Sequence, residues 1–399
     1  MKHRLLLLAV FLLTLLPLGC SASVAPEPLE LGDEQFDAYF PLLEGKRVAI
    51  FSNQTGLVKA EKHVLDILVE AGFNVTAIFS PEHGFRNMAA DGARVDDSVE
   101  PLTGVPILSL YGGSGGKQPS AEAMAMFDVL VVDIQDVGLR FYTYYITLCH
   151  LMDACGEAGK EMILLDRPNP NGHYVDGPIL DMSLKSGVGH LPIPVVHGLT
   201  LGELALLAKG EKWLGAGNEC ALTVIPCKNY THQTHYELPV PPSPNLPSMQ
   251  SVYLYPSLCF FEGTVVSLGR GTDKPFQQYG HPAMQAQYSY SFTPRSVPGA
   301  TRPPLQNQTC YGVDLSQVPW EEIWAKGIDL SYVIDAYTIL KAQGKEQGFF
   351  RRFFDLLAGQ TYVREMIEAG ASAEEIRARW EPDVAAFQVL RKPYLLYPE

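Results

Sequence analysis

Two glutamates stand in settings that suit acid–base catalysis. Glu82 and His83 follow the apolar run NVTAIFS within the segment FSPEHGFR. With Phe79 and Phe85 close in sequence, we expect an apolar environment to raise the pKa of Glu82, so that it can protonate a leaving oxygen. Glu262 stands between aromatic residues and a glycine in CFFEGT. Two such carboxyl groups facing one cleft form the arrangement that glycoside hydrolysis uses.

Other polar residues follow neighbouring apolar runs, at the positions where open parallel sheets bind their ligands. Asp133 is a further catalytic candidate among them, and the others are candidates for substrate binding. At least one of Asp133 and Asp136 also suits the cap of a helix predicted near Tyr142, and Arg167 suits an ion pair with a neighbouring carboxylate. The polar residues that follow the runs are Asn53, Asp133, Gln135, Asp136, Asp166, Arg167 and Asn169.

The elements that must position these groups alternate between short β-branched runs and helical segments from Arg47 to about Gly210. This alternation predicts an α/β domain with a parallel sheet whose crossover helices cover both faces. The predicted strands are RVAIFS, NVTAIFS, VPILSLY, FDVLVVDI and KEMILLD, and the predicted helices include KAEKHVLDILVEAG and TYYITLCHLMDACGEAG.

The sequence changes character at about Pro239. The segment PPSPNLPS holds four prolines in eight residues and predicts an extended, stiff crossing. An aromatic, glycine-rich stretch follows, and from about Asp329 the chain becomes helical and amphipathic. We therefore expect a second, smaller α+β domain, packed so that the proline segment and the FFEG loop face the first domain.

The first residues, MKHRLLLLAVFLLTLLPLGC, have the basic start, apolar core and small residue of an export signal. Cys20 directly after Gly19 suggests the site where a bacterial lipoprotein is cleaved and lipidated, although an ordinary signal peptide cut near Ala22 is the alternative. The stretch after Cys20 is small, polar and proline-bearing, as a tether would be. We expect an exported, membrane-anchored lipoprotein, with the periplasm as its compartment.

Several classes of partner are disfavoured by composition and spacing. Removal of residues 1–19 takes away Lys2 and Arg4 and moves the formal net charge from -14 to -16, which argues against nucleic acid. The cluster YGGSGGK does not fit a phosphate-binding loop, so no nucleotide cofactor is expected. The cysteines match no zinc pattern, although a Cys220–Cys227 bridge is compatible with an oxidising compartment. His83 and His197 could bind a metal with Asp133 or Asp166, but no close histidine pair supports it, and we predict none.

The motifs taken together resemble the NamZ family, once known only as a domain of unknown function. They run from about Gly45 to the end of the chain, so the resemblance covers nearly all of the mature protein. The motifs are FSNQTGLV, FSPEHGFR, DIQDVGLRFYTY, LDRPNPNG with VDGP, HGLTLGELA, PPSPNLPS, FFEGTVVSLGRGTDKPF and RKPYLLYP.

The resemblance implies an exo-acting β-N-acetylmuramidase that releases N-acetylmuramic acid from the non-reducing end of peptidoglycan fragments. It implies a Rossmann-like domain and a smaller C-terminal domain with the site in the cleft between them. Glu82 corresponds to the glutamate of the EHG motif and is the leading catalytic candidate, with His83 beside it. We divide the chain into a signal peptide (1–19), a tether (20–40), a Rossmann-like domain (41–238) and a smaller α+β domain (239–399).

A muramyl sugar carries a lactyl carboxylate, for which a guanidinium is the natural partner. Arg140, Arg167 and Arg270 stand in motifs of the resemblance and are our candidates. Tyr142 is a candidate sugar platform, and His197 and Asn245 are further binding candidates from the motifs HGLTLGELA and PPSPNLPS.

The second catalytic group stays open at the level of sequence. The 2-acetamido group of the substrate could act as nucleophile with Asp133 or Asp136 orienting it, or Glu262 or Asp166 could activate water. Two other functions also stay open: a metal-dependent peptidoglycan amidase or deacetylase, and a non-catalytic lipoprotein that binds cell-wall sugars. The sequence leaves a homodimer possible.

Overall fold

The computed structural model of the chain describes residues 27–81, 85, 97–110 and 118–399. Cys20, Glu82, His83 and the glycine cluster at 111–117 lie outside the described residues. Within the described residues the strands are β1 (Arg47–Ser52), β2 (Leu57–Val58), β3 (Lys62–His63), β4 (Asn74–Ser80), β5 (Ser98–Val99), β6 (Pro106–Ser109), β7 (Val129–Asp133), β8 (Glu161–Leu165), β9 (Ala221–Ile225), β10 (Gln278–His281), β11 (Ser291–Phe292) and β12 (Cys310–Asp314). The helices are α1 (Phe36–Leu43), α2 (Val64–Glu70), α3 (Ala121–Met124), α4 (Tyr144–Ala158), α5 (Leu201–Gly210), α6 (Met249–Leu258), α7 (Trp320–Lys326), α8 (Ser331–Lys341), α9 (Arg352–Ala358), α10 (Tyr362–Ala369) and α11 (Ala373–Arg391).

A central sheet of seven described strands has the order β5-β6-β4-β1-β7-β8-β9. All neighbours pair in parallel except β5, which runs antiparallel to β6. The near-continuous apolar runs of β1 and β7 are buried throughout apart from Arg47, as strands covered on both faces require. The predicted α/β class and parallel sheet are therefore confirmed.

Each face of the sheet packs against its own helices because alternate residues of a strand point to opposite sides. Val48 and Ile50 of β1 lie on the face covered by α1 and α2. Ala49 and Phe51 lie on the opposite face, in a cluster that includes α4 and α5. The order of the strands brings the carboxyl ends of β4, β1, β7 and β8 side by side, which is the edge that a ligand site needs.

The C-terminal part contains a separate three-stranded antiparallel sheet of order β10-β12-β11, surrounded by α6 to α11. Its apolar residues, such as Phe260 and Trp380, belong to the same cluster as α4 and α5. The chain end then returns to the central sheet, where Leu396 N–H donates to Glu203 at 2.8 Å. The prediction of a separate C-terminal α+β domain is confirmed. Its boundary at residue 239 stays a prediction.

Two details differ from the sequence-based expectation. The tether predicted over 20–40 is shorter, because Tyr39 of α1 is buried against the sheet and Glu30 exchanges backbone hydrogen bonds with Lys228. The Cys220–Cys227 bridge is absent: the Cys220 thiol hydrogen-bonds with Cys155, and Cys227 donates to the Asp166 carbonyl at 3.2 Å. Among the described helices, none has the length and apolar content to cross a bilayer.

Candidate active site

The loops after β1 and β7 are joined by buried hydrogen bonds. The Asn53 carboxamide donates to the Tyr144 hydroxyl at 2.9 Å and accepts from Thr55 N–H at 2.9 Å. The Thr55 hydroxyl in turn accepts from Gln135 N–H at 3.0 Å. These hydrogen bonds bring Asn53 and Gln135 together at the rim of the sheet, through the Asn53 side chain and the Gln135 backbone.

The proline segment lies across this rim. Gln54 donates to the Pro241 carbonyl at 3.0 Å. Tyr142 and Tyr144 both donate to the Pro242 carbonyl, at 2.9 and 3.1 Å. Because proline has no N–H to donate to a strand partner, the segment is held through its carbonyls, which accept from hydroxyl and amide donors. Gln54 follows the end of β1, and Tyr144 stands in the motif DIQDVGLRFYTY.

An open cavity of about 310 Å³ lies beyond the proline segment, which is large enough for a sugar unit. Glu262 and Arg270 line it and form an ion pair, and their side chains are only 18% and 14% exposed. The Arg270 guanidinium also lies over the Phe276 ring, 5.2 Å from its centre. The other lining residues are Phe261, Val266, Leu268, Gly299, Ala300, Thr301, Arg302, Pro303, Pro304 and Phe353.

The cavity is connected to the rim of the sheet through two routes. The Asn245 carboxamide, at the end of the proline segment, donates to the Gly299 carbonyl of the cavity wall at 3.2 Å. Phe276 packs against Tyr255 at 4.8 Å between ring centres, and Tyr255 packs against Tyr142 at 6.3 Å. Through these contacts Tyr142 and Asn245 are linked to the cavity that Glu262 and Arg270 line.

Asp133 and Arg167 form a buried ion cluster with Asp33. Arg167 Nε donates to Asp133 Oδ1 at 2.6 Å, and Nη2 donates to Asp33 Oδ2 at 2.5 Å. Burial raises the pKa of Asp33 despite the opposing charge of Arg167, because a second carboxylate shares the same guanidinium. The structure places Asp133 and Arg167 in contact with each other under the rim, where Arg167 has the ion-pairing role considered as its alternative.

Arg140 is buried completely. Its guanidinium donates to the carbonyls of Pro178 (2.6 Å), Ile193 (3.0 Å) and Leu357 (2.8 Å). Burial lowers the pKa of Arg140 to about 10, which still leaves it charged at neutral pH. Since Leu357 belongs to α9 and the other two carbonyls to the first part of the chain, Arg140 joins the two parts of the molecule.

Asp166, Asn169 and His197 are held in the interior near the chain end. Asp166 accepts from the hydroxyls of Thr200 and Tyr397, both at 2.6 Å, and burial raises its pKa to about 6. Asn169 donates to the Leu199 carbonyl at 2.8 Å. Burial and the charge of Arg391 lower the pKa of His197 to about 3, so its imidazole is neutral.

Asp136 and Gln135 border an internal cavity of about 10 Å³, the size of one water molecule. Asp136 Oδ1 accepts from Gly138 N–H at 2.8 Å, whereas Oδ2 and Gln135 Oε1 lack a hydrogen-bond donor among the described residues. Burial raises the pKa of Asp136 to about 7. Backbone N–H groups of Gly138, Val137 and Tyr145 oppose this rise, and Tyr145 lies in the first turn of α4, so Asp136 contacts both its own loop and the start of that helix.

Glu82 and His83 lie outside the described residues, so their predicted roles stay predictions. Pro81, the residue before Glu82, directly follows β4 and is buried. The described residues contain no group of three or more histidine, cysteine or acidic side chains placed to bind a metal ion.

The chain has a parallel sheet and a charged cavity large enough for a ligand. Both features are typical of two-domain α/β enzymes. The family model for the N-terminal part of the exo-β-N-acetylmuramidase NamZ matches residues 48–250. The model for the C-terminal part matches residues 253–397. The chain therefore belongs to the NamZ family, and the resemblance recognised from its motifs is confirmed.

Individual relatives agree with this assignment. The peptidoglycan β-N-acetylmuramidase NamZ of Bacillus subtilis (strain 168) is 38% identical over 376 residues, which cover 90% of this chain and 89% of that protein. A crystal structure of a DUF1343 family protein from Bacteroides fragilis NCTC 9343 is 61% identical with a TM-score of 0.86, covering 94% of this chain and 100% of the other. A second DUF1343 structure from that organism is 29% identical with a TM-score of 0.78, covering 92% and 99%.

Proposed function

We propose that this chain is an exo-acting β-N-acetylmuramidase, a glycosidase that releases N-acetylmuramic acid from the non-reducing end of peptidoglycan fragments. Membership of the NamZ family supports the activity. The observation that carries the proposal is the sugar-sized cavity lined by the Glu262–Arg270 pair. Glycosidic cleavage uses two carboxyl groups, and we propose Glu82 of the EHG motif as the other one.

In the proposed mechanism Glu82 is the general acid. It donates its proton to the glycosidic oxygen while the bond from that oxygen to the anomeric carbon breaks. Glu262 takes a proton from the water that adds to the anomeric carbon, and free sugar and alcohol leave. Glu262 lines the cavity in an ion pair with the Arg270 guanidinium.

The substrate-assisted alternative uses the acetamido group of the sugar as nucleophile, with a carboxylate orienting its N–H. Of the two carboxylates considered for that role, Asp133 is engaged with Arg167, whereas Asp136 Oδ2 has no donor among the described residues. Both carboxylates are buried under the rim and neither lines the sugar-sized cavity, so we keep activation of water by Glu262 as the main proposal. The anomer released first, followed by proton NMR, separates the two routes, because water activated by Glu262 gives inversion.

The predicted export and lipidation remain part of the proposal. The chain enters the described fold beside Asn229, whose side chain donates to the Pro28 carbonyl at 2.9 Å. A signal peptide at 1–19 and a lipid on Cys20 would then leave only a short tether. Labelling with radioactive palmitate tests this, since label should enter the wild-type chain and be absent from Cys20→Ser.

The experiment that tests the activity is incubation of the purified protein with a disaccharide of N-acetylmuramic acid β-linked to N-acetylglucosamine. Mass spectrometry should show both free sugars in equal amounts. An amidase or deacetylase would leave the disaccharide bond intact and release a peptide or acetate, with loss of turnover in a chelator. A binding lipoprotein would return the disaccharide unchanged, and either result would exclude our proposal.

A further inference from the structure

The cavity contains an arginine that the catalytic pair does not use. Arg302 lines it from the wall formed by Gly299–Pro304, and its side chain is exposed. No carboxylate among the described residues forms an ion pair with Arg302. The Arg270 guanidinium differs, because Glu262 is already its partner.

The backbone that carries Arg302 is held firmly. Val297 and Ala300 exchange two backbone hydrogen bonds, at 3.2 and 3.0 Å, and the Gly299 carbonyl accepts from Asn245. Pro303 is buried close to Gly271, where an added Cβ would lie 2.6 Å from the proline ring. Arg302 is therefore an exposed charged side chain on a backbone held by hydrogen bonds and packing, an arrangement that suits binding of an anionic ligand.

The charges of the described residues that line the cavity do not cancel. Glu262 contributes one negative charge, whereas Arg270 and Arg302 each contribute one positive charge. The whole chain has a net charge of -14, so the rest of the molecule repels anions. Among the described lining residues there is therefore one positive charge, that of Arg302, without an ion-pair partner, and a ligand with one carboxylate would balance it.

We propose that Arg302 binds the lactyl carboxylate of the substrate and thereby distinguishes a muramyl from a glucosaminyl sugar. This inference rests on the proposed function, which supplies the sugar. A guanidinium can grip a carboxylate with two parallel hydrogen bonds, so the contact adds orientation as well as attraction. Of the other three arginines considered, Arg140 and Arg167 are buried with internal partners, and Arg270 is paired with Glu262.

The test compares a nitrophenyl β-N-acetylmuramide with the methyl ester of its lactyl group. We expect wild type to have a KM about tenfold lower for the acid than for the ester, equivalent to about 1.4 kcal/mol, the scale of one hydrogen bond to a charged group. Arg302→Met should raise KM for the acid to that for the ester, with kcat nearly unchanged, and Arg302→Lys should keep part of the preference. Arg295→Met is the matched control, because Arg295 is exposed and outside the cavity lining.

The outcomes separate this inference from the proposed function. If wild type hydrolyses neither compound, the proposed function is wrong and the inference falls with it. If wild type prefers the acid and Arg302→Met keeps that preference undiminished, the role of Arg302 is excluded while the activity stands. Loss of the preference in Arg270→Met but not in Arg302→Met would also overturn the inference and move the contact to Arg270.

Discussion

Replacement of Arg140 by methionine separates a structural role from a substrate-binding role. The guanidinium donates to three buried carbonyls, those of Pro178, Ile193 and Leu357. Leaving each carbonyl without a donor costs about 1–3 kcal/mol. Part of this cost is offset because methionine does not require a buried charge, so we expect a net loss of about 3–5 kcal/mol in the free energy of unfolding.

The loss should be measured by urea unfolding followed by far-UV circular dichroism, with Arg295→Met as the exposed control. At low temperature, where the variant remains folded, KM for a muramide substrate should stay near the wild-type value because Arg140 does not reach the cavity. An Arg140→Met protein with wild-type stability and a strongly raised KM would refute this reasoning. It would restore Arg140 as a ligand of the lactyl carboxylate.

Three other perturbations have expected outcomes. Tyr397→Phe removes the hydroxyl that donates to Asp166, and urea unfolding should show a loss of about 2 kcal/mol at pH 8. Because burial raises the pKa of Asp166 to about 6, the loss should be smaller at pH 4, where that carboxyl is protonated, and an equal loss at both pH values would contradict this. Burial and Arg391 lower the pKa of His197 to about 3 from 6.5, so its protonation favours the unfolded chain and stability should fall as pH drops below 6.5. His197→Asn should flatten that slope, by up to about 1.4 kcal/mol per pH unit in urea titrations, and an unchanged slope would exclude His197 as its source. EDTA should leave muramide turnover unchanged, since the proposed mechanism uses carboxyl groups alone, and inhibition reversed by added metal would favour the amidase alternative.

The fold followed from the sequence where the periodicity was strong. The runs RVAIFS and FDVLVVDI contain the strands β1 and β7. A strand with apolar side chains on both faces is expected where helices cover both faces of the sheet. The strand β9, with the run ALTVI, was not predicted, because its alternating burial and lack of a polar strand end set it apart from the others. Short pairs such as β2 and β3 carry too few residues for any pattern to show.

The candidate site was predictable in part. Glu262, Arg270 and Asn245 were selected from motifs; Glu262 and Arg270 line one cavity, and Asn245 donates to the Gly299 carbonyl of its wall. The partners of the buried candidates were not predictable, since Arg140 and Arg167 contact residues far away in the chain, up to 217 positions distant for Leu357. Arg302 lies in none of the recognised motifs. Its position in the cavity wall follows only from the folded structure.

The central claim is that Glu82 protonates the glycosidic oxygen of a muramyl sugar. The most direct measurement is the release of nitrophenol from a nitrophenyl β-N-acetylmuramide, with the N-acetylglucosaminide as control, by wild type, Glu82→Gln and the exposed control Glu44→Gln. Our account predicts turnover of the muramide alone by wild type and Glu44→Gln, and a loss of at least about a hundredfold in Glu82→Gln with binding retained. Turnover in Glu82→Gln within a few-fold of wild type would contradict the account, as would the absence of turnover in wild type.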